Sequence, residues 1–161
     1  MGISSFDKYE HHGAGYLKKI FQLLRHYSAN PIEDHLKLWD MEIFNYLIGN
    51  TDNHIKNLSL IYGENLKSIR LAPAYDMIST TIYESSTRDM SVSVDGIYRI
   101  DDIKRASFQR EAENIGFGTG MAMKRFDSLA ESFESALKKT LISFPSAGLI
   151  LRLHRRALNG L

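Results

Sequence analysis

The residues with the clearest chemical potential form one dense polar stretch, Asn50 to Asn57, between apolar flanks. It contains Asp52, a histidine, a lysine and several side-chain amides, and the pair Tyr75-Asp76 ends 19 residues after Asn57. Packing alone gives no reason to place such residues between apolar segments, because buried polar groups are costly without partners. Phosphoryl transfer needs an oriented nucleophile, a held metal ion and groups that offset phosphate charge. The stretch therefore predicts a phosphoryl-transfer site, or half of one.

The spacing of these residues assigns them separate roles. Asp52 and Asn57 stand five positions apart, as do the aspartate and asparagine of the protein-kinase catalytic loop. Asp52 could accept a hydrogen bond from a substrate hydroxyl, while Asn57 and Asp76 could ligate Mg²⁺, which prefers oxygen ligands. Lys56 could neutralise the transferring phosphate. His54 is expected mainly to support the loop.

Two amphipathic helices are predicted before the polar stretch. Apolar residues recur at helical spacing from Tyr16 to Tyr27. Asn30-Pro31 then provides an N-cap and a proline at the first helical position, and Gly49-Asn50 can end the second helix. The helices occupy residues 16–50, so the polar stretch begins where a buried helix stops.

A β-hairpin is predicted after the stretch. Residues 58–62 and 68–71 are β-prone runs separated by a polar turn. The second strand is expected to continue through Pro73 to Asp76, and folding it back would bring Asp76 near Asn57 and Asp52. Residues 50–76 would then form one catalytic loop and hairpin.

Residues 77–95 are predicted to be a mobile surface segment followed by a short strand. The segment from 77 to 91 is rich in Ser, Thr and Tyr, and Met90 to Val94 alternates as a strand does before the turn Asp95-Gly96.

The remainder, 101–161, is predicted to be helical. Asp101 could cap a helix to about Ile115, the longest helical pattern runs from about Gly120 to Thr140, and Pro145 opens a last helix. Residues 1–15 are predicted to be an irregular N-terminal loop. We expect one domain of 161 residues, mainly α with a small β-hairpin element, in the α+β class.

Composition excludes several classes of protein. Hydrophobic residues at 43% and charged residues at 24% are typical of soluble globular domains. No apolar run approaches the roughly 18–20 residues of a membrane span, and no secretion signal is recognisable. The absence of cysteine fits a reducing, cytoplasmic location. A net charge of +1 gives no overall attraction to nucleic acid.

Three segments resemble the C-terminal lobe of HipA-type serine/threonine kinases, the toxins of bacterial toxin-antitoxin pairs. They are residues 50–57, 70–79 and 151–154. The resemblance implies a protein-kinase-like C-terminal lobe that uses ATP and Mg²⁺. By position, Asp52 matches the catalytic aspartate and Asn57 the Mg²⁺-binding asparagine. Asp76 matches the aspartate that bridges Mg²⁺ and the ATP phosphates, and His54 and Lys56 match the histidine and lysine of the loop.

The resemblance also implies partners. The family phosphorylates a protein hydroxyl, in known cases on an aminoacyl-tRNA synthetase, and is neutralised by a HipB-type antitoxin. That antitoxin is a small helix-turn-helix protein, so contact with DNA would be indirect. No Gly-rich phosphate loop precedes Asn50. The N-terminal lobe is therefore expected in cis or as a separate subunit. The chain would be a fragment, a truncated product or one subunit of a split kinase, and inactive alone.

Several alternatives remain open. Asp52 and Asn57 could simply cap helix and strand ends, and Lys56 could be a solvated loop residue. The chain could be a non-catalytic interaction module that holds an antitoxin on DNA and acts in autoregulation of transcription. It could also be a metal-dependent nuclease built on Asp52, His54 and Asp76, although the spacing and the hairpin favour a kinase.

Overall fold

Four α-helices and two small antiparallel hairpins make up the part of the chain that the computed structural model describes, residues 8–10, 13–64 and 66–141. The elements are α1 (Tyr16–Tyr27), α2 (Pro31–Ile48), a short 3₁₀ helix (Ile55–Asn57), β1 (Leu60–Tyr62), β2 (Ile69–Leu71), β3 (Asp89–Val94), β4 (Ile97–Arg99), α3 (Arg105–Ile115) and α4 (Thr119–Leu141). The α+β class is confirmed. Among the described helices, none is both long and apolar enough to cross a membrane.

The helices α1 and α2 form where the sequence predicts them. The side chain of Asn30 accepts a hydrogen bond from the Glu33 N–H at 3.3 Å, and Pro31 occupies the first turn. At the other end of α2, Gly49 adopts the left-handed conformation with φ of 73°. The polar stretch therefore leaves a helix that is defined at both ends.

The centre of the core is the buried face of α2, which packs against α1 and α4. Trp39 is fully buried, its indole N–H donates to the Ala122 carbonyl at 3.0 Å, and its ring meets Phe108 edge to face at 5.7 Å. The Tyr46 hydroxyl donates to the Ile103 carbonyl at 3.0 Å. Both large aromatic side chains are thus buried with their polar atoms satisfied, which fixes α2 and the loop that follows it.

Both hairpins follow this loop in the sequence. In the first, Leu60 pairs with Leu71 and Tyr62 with Ile69. In the second, Asp89 pairs with Arg99, and β3 packs against α1 and α3. Alternate residues of β3 enter the hydrophobic core: Met90, Val92 and Val94. Ser91 and Ser93 are buried as well, so every residue of β3 after Asp89 is buried. The strand β4 was not predicted.

The prediction that the second strand of the first hairpin continues to Asp76 was wrong. It ends at Leu71, and residues 72–80 have no regular structure. The Ala72 N–H still donates to the Ser59 carbonyl at 2.9 Å, but Pro73 has no N–H with which to continue the ladder.

The prediction that Asp101 caps the third helix was also wrong, since α3 begins at Arg105. The Asp101 carboxylate instead forms an ion pair with Arg88, whose Nε donates to it at 3.0 Å. At the actual start, the Ser107 hydroxyl accepts from the Lys104 N–H at 3.1 Å.

The segment 77–88 is less detached than predicted. The N–H groups of Thr80 and Thr81 both donate to the Gly49 carbonyl at 3.1 Å, and Thr81 is buried. The predicted last helix from Pro145 and the motif at 151–154 lie outside the described residues.

Gly49 gives a first testable prediction. A Cβ at this position would lie 2.0 Å from Thr81 Oγ1, whereas a Cβ at Gly116, which has a similar φ of 67°, would come no nearer than 3.7 Å to Arg25 Nη2. We expect Gly116→Ala to lower the free energy of unfolding by about 1 kcal/mol and Gly49→Ala by about 2 to 3 kcal/mol. Urea denaturation followed by circular dichroism measures both. Equal decreases in the free energy of unfolding for the two variants would show that the Thr81 side chain moves away from the new Cβ without loss of stability.

Candidate active site

Asn50 joins the two halves of the predicted site. It is buried, and its side-chain N–H₂ donates to Asn45 Oδ1 at 2.9 Å and to the Asp76 carbonyl at 3.2 Å. Its side-chain oxygen accepts from the Asp52 N–H at 3.2 Å. A single amide therefore fixes the backbone of both Asp52 and Asp76, which are 24 residues apart in the sequence.

Asp52 is half-buried at the rim of a cleft. Its backbone carbonyl accepts from the His54 N–H at 2.8 Å and from Asn57 Nδ2 at 3.2 Å. Its carboxylate accepts a hydrogen bond from the Tyr9 hydroxyl at 3.3 Å. The backbone of the loop is thus closed on itself while the carboxylate is presented outward.

Asn57 and Asp76 line the same small depression, of about 10 Å³. Asn57 Nδ2 donates a hydrogen bond to the Asp52 carbonyl. The Oδ1 atom of Asn57 has no hydrogen-bond partner among the described residues. Asp76 is exposed and left-handed, with φ of 56°, and its carboxylate makes no hydrogen bond or ion pair within the described chain. Two residues with oxygen donors, 19 positions apart in the sequence, therefore line one depression.

Tyr75 locks the backbone beside Asp76 against the loop. Its hydroxyl donates to the Lys56 carbonyl and lies 2.8 Å from both that oxygen and Ser59 Oγ. The closure that was predicted from the hairpin is present, although residues 72–76 reach the loop as irregular chain and not as a strand.

His54 and Lys56 have different surroundings. The His54 ring lies edge to face with the Tyr9 ring at 5.9 Å, and its buried Nδ1 has no hydrogen-bond partner among the described residues. The Lys56 side chain is exposed and makes no ion pair within the described ranges. Its predicted contact with phosphate stays a prediction.

A buried carboxyl group lies beneath the loop. Glu42 is buried, and Asn53 Nδ2 donates to its Oε2 at 3.2 Å. Burial, followed by the nearby carboxylates of Glu10 and Glu111, raises the pKa of Glu42 to about 8, and the hydrogen bond from Asn53 opposes this only in part. Glu42 is thus mainly protonated at neutral pH.

Threonine and serine side chains attach the loop to its neighbours. The Thr51 N–H donates to Thr80 Oγ1 at 2.8 Å, and the Ser91 hydroxyl donates to the Thr51 carbonyl at 2.8 Å. Residues 80 and 91 therefore position the residue that precedes Asp52.

The comparison with protein families decides the identification. Residues 1–139 match the family model described as the HipA-like C-terminal domain. The chain belongs to this family. The resemblance carried by the motifs at 50–57 and 70–79 is therefore confirmed.

The relatives of this HipA-like domain are longer proteins. It is 32% identical to "Putative kinase Y4mE" of Sinorhizobium fredii over 88% of the chain and 33% of that relative. It is 21% identical to the serine/threonine-protein kinase toxin HipA of Shewanella oneidensis over 72% of the chain and 26% of that protein. The chain thus spans about a third of the length of these relatives, or less.

A solved structure shares the fold of the HipA-like domain. The match covers 99% of this chain and 42% of the other, with a TM-score of 0.83 and 18% sequence identity. That structure is the Shewanella oneidensis HipA, HipB and operator DNA complex. At this identity the likeness establishes that the two proteins share this α+β fold, and nothing further.

Several residues of the HipA-like site escaped sequence reasoning. The sequence predicts Asn50 as part of the polar stretch but not as the link between Asp52 and Asp76, and it predicts no role for Glu42. Tyr9 lies in a segment that has no periodic pattern. The contacts of Asn50 and Tyr9 span 26 and 43 sequence positions, and the contact of Glu42 with Asn53 spans 11 positions between a helix and the loop. A single sequence gives no local signal for such contacts.

Proposed function

We propose that this chain is the catalytic lobe of a HipA-like protein serine/threonine kinase, which transfers the γ-phosphate of ATP to a protein hydroxyl. One observation carries the proposal. The loop that places Asp52 at the rim of a cleft also places Asn57 in the lining of a second depression, which Asp76 shares. Phosphoryl transfer by a kinase needs a carboxylate that orients the acceptor hydroxyl and, close to it, ligands that hold the metal ion. The kinase names of the relatives support it.

The proposed metal ion is Mg²⁺, held by Asn57 and Asp76. The described residues contain no group of three or more His, Cys, Asp or Glu side chains that could hold a metal. A two-oxygen site suits Mg²⁺, which commonly takes one or two protein ligands and completes its octahedron with phosphate and water. When bound, the ion would offset negative charge on the phosphates of ATP.

The remaining residues act on the acceptor and the phosphates. Asp52 accepts the hydrogen bond, and finally the proton, of the acceptor hydroxyl. Lys56 reaches the ATP phosphates together with Asp76, and His54 supports the loop through its backbone and its contact with Tyr9. Asn50 keeps the Asp52 and Asp76 backbones in a fixed relation, so its contribution is positional.

A second lobe is part of the proposal, supplied in cis or as a separate subunit. The three residues of β1 are exposed and apolar, with Ile61 and Tyr62 at 49% and 58% exposure. An apolar strand face next to the proposed nucleotide site is suited to contact with further protein.

Removal of a proposed Mg²⁺ ligand should greatly reduce phosphoryl transfer. In the gene product that carries this chain, Asp76→Asn is expected to reduce incorporation of ³³P from labelled ATP by about 100-fold or more, because the amide removes the charged ligand. Asp52→Asn should have a comparable effect. Asp127→Asn, in a surface ion pair on α4, is the matched control and should retain transfer. Full activity of Asp76→Asn would refute the assignment.

A second candidate function is a non-catalytic module that binds a HipB-type antitoxin. The observation in its favour is the structural neighbour, which assembles with HipB and operator DNA. As a toxin component, this chain would meet DNA through the antitoxin alone. Co-purification with an antitoxin encoded beside its gene, unchanged by Asp76→Asn and without any phosphoryl transfer, would favour this function over catalysis.

The transfer assay also tests the proposed substrate. The protein that becomes labelled is the acceptor, and the family resemblance implies that it is an aminoacyl-tRNA synthetase.

A further inference from the structure

The depression that Asn57 and Asp76 share has another polar residue in its lining, Asn53. Asn53 is buried, with 6% of its surface exposed. Its Oδ1 atom is buried and has no hydrogen-bond partner among the described residues. A buried acceptor without a donor destabilises a folded protein, so native structures rarely contain one unless a bound group satisfies it. The lining of the depression therefore contains an acceptor that is suited to a ligand.

The amide side chains of this lining fall into two groups. Asn45 Oδ1 accepts from Asn50 Nδ2 at 2.9 Å, and Asn50 Oδ1 accepts from the Asp52 N–H at 3.2 Å. Asn53 and Asn57 use their Nδ2 atoms as donors, but the Oδ1 atom of neither accepts a hydrogen bond within the described chain. The unpaired oxygens thus belong to Asn53 and to the proposed Mg²⁺ ligand Asn57.

The Asn53 side chain is held by α2. Its Nδ2 atom donates to Glu42 Oε2 at 3.2 Å, and Glu42 is itself buried in the helix that precedes the loop. This bond keeps the amide nitrogen at the carboxyl group of Glu42 and leaves the amide oxygen for another partner. An oxygen fixed in this way binds a ligand with little further loss of side-chain entropy.

The composition and size of the depression favour a hydrated cation. None of the described residues that line it is a lysine or an arginine, whereas Asp76 contributes a carboxylate. Oxygen donors without a cationic side chain suit a hard divalent ion and disfavour an anion. The free volume of about 10 Å³ is close to that of a single water molecule. A water molecule bound to a metal ion therefore fits this lining.

We propose that Asn53 is a third protein contact of the metal ion, and that its Oδ1 accepts a hydrogen bond from a water molecule in the coordination shell of Mg²⁺. This inference rests on the proposed function, which places Mg²⁺ on Asn57 and Asp76, and it adds a positioning residue to that site. Mg²⁺ keeps several of its waters when it binds to a protein, and the groups that hold such waters contribute to affinity. Glu42 then acts through Asn53, because it holds the amide that accepts the hydrogen bond.

Binding of Mn²⁺ to the 161-residue chain tests this contact without any turnover. The electron paramagnetic resonance signal of free Mn²⁺ gives the dissociation constant, and competition with Mg²⁺ shows whether both ions use one site. Asn53→Leu keeps the size of the side chain without its polar atoms, and it should weaken binding about tenfold. Asn53→Asp keeps an acceptor oxygen but loses the amide donor to Glu42, and it should bind Mn²⁺ at least as tightly as the wild type. Asn114→Leu, at an exposed position on α3, is the control and should bind as the wild type does.

A second measurement uses the wild-type chain and needs no variant. Bound Mn²⁺ broadens the NMR signals of nearby protons. The side-chain amide signals of Asn53 should therefore disappear at a Mn²⁺ concentration that leaves those of Asn114 sharp. Sharp Asn53 signals with the site occupied would refute the contact, whether or not a melting curve shows that Asn53→Leu is folded.

The outcomes separate this inference from the proposed function. Wild-type affinity in Asn53→Leu, with weaker binding in Asp76→Asn, would overturn the role of Asn53 and leave the metal site intact. Equal weakening in Asn53→Leu and Asn53→Asp would also overturn it, because the amide donor to Glu42 would then be the group that matters. No binding by the wild type at millimolar Mn²⁺, or equal binding by Asp76→Asn, would remove the metal site and this inference together. The expected pattern in a gene product that transfers no phosphate would support the Asn53 contact while the kinase function fails.

Discussion

Asp34→Asn is expected to lower the free energy of unfolding by about 3 to 5 kcal/mol, since it removes the buried charge of an ion pair. Asp34 is fully buried in the first turn of α2. Its carboxylate accepts from Arg70 Nε and Nη2 at 3.1 and 2.9 Å, from the Ser28 hydroxyl at 2.6 Å and from the Leu71 N–H at 2.9 Å. Asparagine has one acceptor oxygen for these donors and points its own N–H₂ at the others.

The matched control for this variant is Asp127→Asn. Asp127 also receives two hydrogen bonds from one guanidinium, Arg105, at 2.8 Å each, but it is 46% exposed. We expect a loss below about 1 kcal/mol there. Chemical denaturation of both variants measures the difference. Similar losses would mean that burial of Asp34 adds nothing to the bidentate geometry.

The lowered pKa of Asp34 predicts how the free energy of unfolding changes at acidic pH. Burial of Asp34 opposes ionisation, but the hydrogen bonds from Arg70, Ser28 and the Leu71 N–H outweigh it and hold its pKa below the ordinary value. A folded-state pKa below the unfolded one gives stability that is present above the unfolded value, about 3.9. This contribution is lost as the pH falls through the folded pKa, and Asp34→Asn should remove that part of the acid dependence.

The sequence predicted those elements whose signals are local. The helix α2 begins at Pro31 and ends before Gly49 because an N-cap, a proline and a left-handed glycine act on their own neighbours. The prediction of where α3 begins was wrong because a contact with a residue distant in the sequence decides it. An aspartate in a loop is a good N-cap only when its carboxylate is free, and that of Asp101 is engaged by Arg88, 13 positions earlier. A distant ion pair overrode a local preference.

The contacts of the candidate site likewise include some that local sequence signals predict and others that they do not. The proximity of Asp76 to Asn57 followed from the hairpin between them, since a hairpin returns the chain to its starting point. Asn50 and Tyr9 could not be placed so simply. Their partners Asp76 and Asp52 lie 26 and 43 positions away, and a single sequence contains no pattern that fixes such contacts. The cleft beside Asp52 was unpredictable for this reason, since its lining residues come from segments distant in the chain.

Glu42→Gln is expected to make the protein more stable than the wild type at pH 8, by about 2 to 4 kcal/mol. The wild-type side chain is a buried carboxyl whose pKa is raised from 4.5 to about 8. A folded-state pKa above the unfolded one means that the folded protein holds a proton that the unfolded chain releases. The resulting stability is fully present below pH 4.5 and is progressively lost as the pH rises toward 8.

The slope of that loss approaches about 1.4 kcal/mol per pH unit between the two pKa values. Glutamine has the shape of the protonated acid and can still accept from Asn53, but it does not titrate. Its stability curve should therefore stay level where the wild-type curve falls, and the two should converge near pH 4.5. Urea denaturation at a series of pH values measures this, with Glu113→Gln on the exposed face of α3 as the control. Parallel curves for wild type and Glu42→Gln would show that Glu42 already ionises at low pH in the folded protein. The buried carboxyl would then lie beneath the Asp52 loop as a fixed negative charge, and the Asn53 amide that contacts it would be bound to an anion.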